Sequence, residues 1–178
     1  MAFKKVVSGG QTGVDRAALD AALAANFACG GWAPGDRMAE DGVIPDRYPL
    51  IPLPQGGYRQ RTRLNVSDSD GTVILYNESL KGGARLARNL CALLKRPYLL
   101  INARETPDSV VATEKIVKFI EENAIAVLNV AGPRASGWPA GYCFASDVIS
   151  GVIGCLANGL KQEVAAGLSP EGESGSRA

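Results

Sequence analysis

Val6-Val7-Ser8-Gly9-Gly10-Gln11-Thr12-Gly13-Val14-Asp15-Arg16 joins an apolar strand-like run, Phe3 to Val7, to a helical run through a glycine turn. Downstream, Val14, Ala18, Ala21, Ala22 and Ala25 fall on one helical face over Val14 to Ala25. A strand that turns on glycine into a helix is half of a βαβ unit, and the rest of the chain repeats the alternation. Phe27 to Trp32 reads as a weak second strand, and Tyr48 to Leu53 as a short one broken by Pro49 and Pro52. Gly71 to Tyr76 (GTVILY), Tyr98 to Asn102 and Ala124 to Val130 are further strands. Continuous apolar runs of this kind suit a parallel sheet covered on both faces. Helices are expected over Gly83 to Lys95, with Leu86, Leu90, Leu93 and Leu94 inward, and from a Thr106 N-cap with Pro107 at N1 to about Asn123. In that second helix Val110, Val111, Val117 and Ile120 are the apolar positions, and Tyr142 to Leu156 marks a long core helix. The expected fold is α/β: a single Rossmann-like three-layer α/β/α domain over residues 1–166, with a mostly parallel sheet. Residues 167–178, rich in Gly, Ser and Glu, read as a disordered tail.

The chain has 178 residues, 46% hydrophobic and 21% charged, with 19 Lys+Arg against 18 Asp+Glu. This size supports one core without staples. The charge balance of +1 argues against a broad nucleic-acid or anionic-membrane surface. Histidine is absent, which removes His-based triads, His general bases and His metal sites. The four cysteines, Cys29, Cys91, Cys143 and Cys155, form no C-x-x-C pair, so a zinc or iron–sulfur site is not expected, and no haem is expected either; Cys91 and Cys155 read as packing residues. With no signal-peptide pattern and no uninterrupted apolar span, a cytoplasmic protein without membrane partners is expected.

In a parallel sheet all strand-to-helix turns share the carboxyl edge, where ligands bind. Three glycine turns lie there: Ser8 to Gly13, Leu80-Lys81-Gly82-Gly83-Ala84-Arg85, and Asn129-Val130-Ala131-Gly132-Pro133-Arg134. The first admits two readings, a plain tight turn or an oxyanion cradle in which backbone N–H groups of Gly10 to Gly13 face the anion. A side chain at Gly10 is expected to fall in the anion's place and leave the fold intact. The turn is no NAD fingerprint, since Cys29-Gly30-Gly31-Trp32 carries no acid, and no P-loop, since Gly-Lys-Ser/Thr does not follow. Candidate ligand-binding residues are Ser8, Gly9, Gly10, Gln11, Thr12, Gly13, Asp15, Arg16, Arg37, Lys81, Gly82, Gly83, Gly132 and Arg134. Ala33 to Arg47 reads as a long structureless loop from which Arg37 and Arg47 could clamp an anion, Arg37 closing over the ligand, and Glu40 or Asp41 could bind a metal or a polar ring. Asp15, Glu40 and Asp41 are the candidate acids or bases if the protein is an enzyme. In Tyr58 to Asp70, Tyr58, Thr62 and Asn65 share one helical face and Arg59 and Arg63 another, with Arg59 placed outside the pocket.

Five blocks in order, SGGQTGVDRAALDAA (Ser8 to Ala22), GGWAPGDRMAEDGVIPDRYPL (Gly30 to Leu50), RTRLNVSDSDGTVIL (Arg61 to Leu75), LKGGARLA (Leu80 to Ala87) and LNVAGPRAS (Leu128 to Ser136), resemble the molybdenum carrier family, a SLOG branch related to the lysine-decarboxylase-like proteins. The resemblance spans about Val6 to Ile153. It implies a Rossmann-like fold, binding of molybdenum cofactor or a related phosphorylated, nucleotide-like ligand, and a homodimer or homotetramer. A related SLOG branch consists of nucleotide phosphoribohydrolases with the pattern P-G-G-x-G-T-x-x-E. Here Asn89 stands at the place of that catalytic Glu, and Arg85-Leu86 replaces Gly-Thr, which favours binding over turnover.

Overall fold

The computed structural model describes residues 2–166; the expected disordered tail, 167–178, lies outside the described residues. In chain order the elements are β1 (Lys5–Val7), α1 (Val14–Ala24), β2 (Cys29–Ala33), β3 (Met38–Ala39), β4 (Gly42–Val43), β5 (Leu50–Pro52), α2 (Tyr58–Ser67), β6 (Gly71–Tyr76), α3 (Gly82–Leu93), β7 (Tyr98–Asn102), α4 (Ser109–Glu122), β8 (Val127–Ala131) and α5 (Gly141–Ala166). Six strands form one sheet in the order β5-β2-β1-β8-β6-β7, with every neighbouring pair parallel. This is the Rossmann-like α/β architecture. From β1 the chain runs outward through β2 to β5, crosses to β6 and β7 on the far side, and returns to insert β8 between β1 and β6. The order therefore reverses beside β1 and β8, and the crevice above their carboxyl ends is the topological switch point.

The strand period of two divides the core between two helical layers. Val73 and Leu75 of β6 join Val6, Leu128 and Val130 in the main cluster, packed against α1, α4 and α5. Ile74 points the other way, onto Ala84 and Ala87 of α3. Four of the five alanines of α1, Ala17, Ala18, Ala21 and Ala22, are buried, and this helix packs closely on α5. On the opposite face, α2 and α3 meet around Val66, Leu90 and Cys91.

Several expectations change. Leu93 is 69% exposed, because the buried stripe of α3 runs through Ala84, Ala87, Leu90 and Cys91 instead. Val110 and Val111 are likewise exposed, the inner face of α4 being Ala112, Thr113, Ile116, Phe119 and Ile120. The helix is capped by Asp108, whose side chain accepts from the Val110 N–H at 2.7 Å. Thr106 is buried and accepts from Lys115 Nζ at 2.8 Å. Cys91 is buried as expected, but Cys155 is exposed and packs no core. The supposedly structureless stretch after β2 contains a small hairpin, with Met38 opposite Val43 and Ala39 opposite Gly42. Among the described residues, no helix is long and apolar enough to cross a membrane.

The two leucines of α3 give a direct check of this burial. Leu90→Ala is expected to cost about 2–5 kcal/mol, as for a buried leucine, whereas Leu93→Ala stays within about 0.5 kcal/mol. Urea unfolding measures both, and equal losses would contradict the packing described.

Candidate functional site

At the switch point the first and third glycine turns lie against each other. Ser8 joins them: its N–H donates to the Gly30 carbonyl at 3.0 Å and its buried hydroxyl donates to the Val130 carbonyl at 2.7 Å. Gly13, at φ 78°, brings the turns into contact, since a Cβ there would stand 2.7 Å from the Pro133 oxygen and 2.8 Å from the Ala135 nitrogen. Gly132 has the same function, its absent Cβ leaving room for Val14 and the Leu75 carbonyl. Gly10 does not behave as expected. With φ at 76°, its Cβ position lies 2.4 Å from Leu50 Cδ1 and also meets Ile44, so a side chain there would strike apolar packing and not an anion. Nor are all the turn N–H groups free. Those of Gln11, Thr12 and Val14 donate to Asp15 Oδ2 (3.4 Å), Gln11 Oε1 (3.0 Å) and the Pro133 carbonyl (3.3 Å).

Three arginines reach this region, each with a different neighbour. Arg16 donates from Nε to the Gly10 carbonyl at 3.1 Å and from both terminal nitrogens to Asp41, at 2.5 and 2.8 Å. Arg61, from α2, lies directly over Gly9 and pairs with Asp15 at 3.0 Å. Both side chains are nearly buried, at 11% and 5% exposure, and the Arg61 Nε has no partner. Burial pushes the Asp15 carboxyl above its ordinary range, and the Arg61 charge pulls it part of the way back. Arg37, expected to close over a ligand, instead donates to the carbonyls of Leu50 (2.9 Å), Pro45 (3.2 Å) and Ile44 (3.3 Å), knitting its own loop together. A guanidinium is well matched to several carbonyls at once, and this loop turns a fourth, that of Tyr48 at 3.5 Å, inward as well.

Arg134 and Ser136, in the turn after β8, complete the site. Glu40, at the tip of the β3–β4 hairpin, places its carboxylate among their donors. Oε1 accepts from the Thr12 hydroxyl and from the Ser136 N–H at 3.1 Å. Oε2 accepts from the Ser136 hydroxyl at 2.5 Å and lies 3.4 Å from Arg134 Nε. These bonds, the Ser136 and Thr12 hydroxyls foremost, hold the Glu40 carboxyl below the usual carboxylate range. The Ala135 N–H donates to Thr12 Oγ1 at 3.2 Å, and Glu40's own N–H to Gln11 Oε1 at 2.9 Å.

The second turn stands one strand further along the rim, at the end of β6. Lys81, Gly82 and Gly83 are exposed there, and a Cβ at either glycine would meet nothing within 4 Å. Among the described residues Lys81 forms no ion pair. Asn89 lies on the exposed side of α3, where Arg88 donates to it at 3.2 Å, and lines an open groove of about 310 Å3 with Arg59 and Arg85. Among the described residues, no three acidic or cysteine side chains converge to hold a metal ion.

The structure therefore brings together Ser8 to Gly13, Asp15, Arg16, Gly132 and Arg134, and leaves Arg37 to its loop. Sequence reasoning missed Arg61 and Ser136. For Arg61 the signal was present: it falls three residues after Tyr58 and four before Asn65, on the inward face of α2.

The sequence profile of the circularly permutated YpsA SLOG family matches residues 6–153. A solved structure named "Putative molybdenum carrier protein", from Syntrophus aciditrophicus SB, is 40% identical, with 85% of this chain and 96% of that chain covered and a TM-score of 0.82. No curated protein matches the chain.

Proposed function

The chain belongs to the circularly permutated YpsA SLOG family, and from that membership we propose that it is a binding protein for an oxyanion-bearing small molecule held at the carboxyl edge of the sheet. Molybdenum cofactor, or a related phosphorylated nucleotide-like molecule, is the cargo of this reading. One observation carries it: the Thr12 hydroxyl, the Ser136 N–H and hydroxyl and the Arg134 guanidinium converge on one pair of carboxylate oxygens. Hydroxyls, a backbone N–H and a guanidinium are also the donors that phosphate and molybdate oxygens accept from. The name of the 40% identical neighbour supports the molybdenum part of the reading. An assembly of two or four copies belongs to the same proposal and is measured by sedimentation.

The alternative, a nucleotide hydrolase, has less support. Asn89 is exposed on α3, and the three candidate acids each face a cation: Asp15 faces Arg61, Asp41 faces Arg16 and Glu40 faces Arg134.

Native mass spectrometry of the purified protein is expected to show a phosphate- or molybdate-bearing small molecule, returned intact after incubation. Titrated back by calorimetry, that molecule should bind roughly ten- to a hundredfold more weakly to Arg134→Ala and to Lys81→Ala, since each removes a charge-assisted contact. Arg59→Ala should bind as the parent does. A protein that carries no such molecule and has no affinity for molybdate, tungstate or AMP overturns the reading. Turnover of the nucleotide would favour the hydrolase.

A further inference from the structure

We propose that the tip of the β3–β4 hairpin is a built-in competitor of the ligand: the Glu40 carboxylate occupies the oxyanion position of the β8–α5 turn and must withdraw before an external anion can enter. The proposal deepens the binding reading above and rests on it.

The argument starts from the donors. Those that hold Glu40 come from two turns far apart in sequence, Thr12 after β1 and Arg134 and Ser136 after β8, and they meet only at the switch point. A third segment supplies the acceptor. Its two carboxylate oxygens divide the donors as two oxygens of a phosphate or molybdate would. Both oxygens are engaged, so an external anion and Glu40 cannot hold these groups at once.

The hairpin is built so that its base is fixed and its tip can leave. At the base, Ala39 is buried with Leu19, Ile44, Tyr48 and Leu50, and Arg37 ties the flanking carbonyls together. At the tip, among the described residues, Asp41 is held only by Arg16 and Glu40 only by the groups already named, while Gly42, at φ 111°, has open space around it. Each strand of the hairpin is two residues long, so the tip can move without breaking the main sheet. A site whose competent state is a fraction of the population binds with an affinity reduced by that fraction. Glu40 therefore sets a threshold concentration for loading, and release of the cargo is assisted by its return.

Calorimetric titration with sodium molybdate and with inorganic phosphate, at constant ionic strength, tests this on the full chain. Glu40→Ala vacates the donors and is expected to bind at least about tenfold more tightly than the parent, as when a tenfold-favoured closed state is removed. Glu40→Gln still places an oxygen there and should gain less. Asp46→Asn removes the same charge from an exposed site of the same loop and should stay within about twofold, which separates occupancy from diffuse repulsion. Hydrogen exchange at residues 40–42 should rise when the anion binds to the parent. Measurable binding with equal affinity in the parent and Glu40→Ala overturns the competitor and leaves the anion site standing. Equal gains in all three variants overturn it as well, in favour of diffuse charge. Binding to none of the four proteins overturns the anion site, and the competitor falls with it.

Discussion

Gly13→Val is expected to destabilise the protein by more than about 4 kcal/mol, at the upper end of what single substitutions do. Two independent causes act together. The backbone is held at φ 78°, which a β-branched residue adopts only under strain. The added carbon would also stand within 2.9 Å of three backbone atoms, Pro133 O, Ala135 N and Arg134 C, none of which can rotate away as a flexible side chain would. Relief requires the first and third turns to separate, so the donors around Glu40 would disperse along with the stability. For a chain of this length, 4 kcal/mol corresponds to a fall in Tm of roughly 8–16 °C. Gly83→Ala is the contrast: a Cβ there meets nothing, it lies within α3, and the exchange should be neutral or stabilising by up to about 1 kcal/mol. Similar melting temperatures for Gly13→Val and the parent would refute the close contact of the turns.

Arg61→Leu should cost about 3–5 kcal/mol, the range for leaving one partner of a buried ion pair alone. Asp15 would remain buried beside Gly9 with only weak backbone donors. The pH dependence distinguishes this from a loss of packing. Burial already raises the Asp15 carboxyl in the folded parent, and without Arg61 it rises further. A folded state that holds the proton more tightly than the unfolded one is favoured at low pH and loses that advantage as pH climbs through the folded value. The variant's deficit should therefore widen as pH rises above the ordinary carboxylate range. Asp15→Asn in the same background should recover most of it. A deficit independent of pH, followed by urea midpoints, would mean that Asp15 is not the source.

What could be read in advance was what short-range patterns dictate. GTVILY has no polar face, so β6 had to be a strand covered on both sides, and it lies inside the sheet. The spacing of the α1 alanines marked the face that α5 covers. The glycine turns declared the carboxyl edge because parallel strands leave no other place for them. Sequence reading failed where two residues of one type differ only in surroundings. Leu90 and Leu93 look alike along α3, and the packing of α2 around Val66 buries the first while the second faces outward. Arg37 and Arg61 are equally basic, but four inward carbonyls engage the first and a buried carboxylate the second. Glu40 was visible as an acid in a loop; that it would meet Ser136, 96 residues later, is decided by the strand order alone.

That strand order has a consequence for how the protein is made. Synthesis proceeds from the N-terminus, and β8 is the last of the described strands to emerge although it is the one that joins the halves. Until Val127 to Ala131 is available, β5, β2 and β1 form one ribbon and β6 and β7 another, with no hydrogen bond between them. Besides its outer edge on β5 or β7, each ribbon then has a second open edge, on β1 and on β6, where a nascent chain is exposed to mispairing. Arrival of β8 closes both edges in one step, and the turn that follows delivers Arg134 and Ser136. The donors around Glu40 are therefore complete only when the sheet is: Thr12 emerges early, and Arg134 and Ser136 arrive last, with the strand that joins the halves.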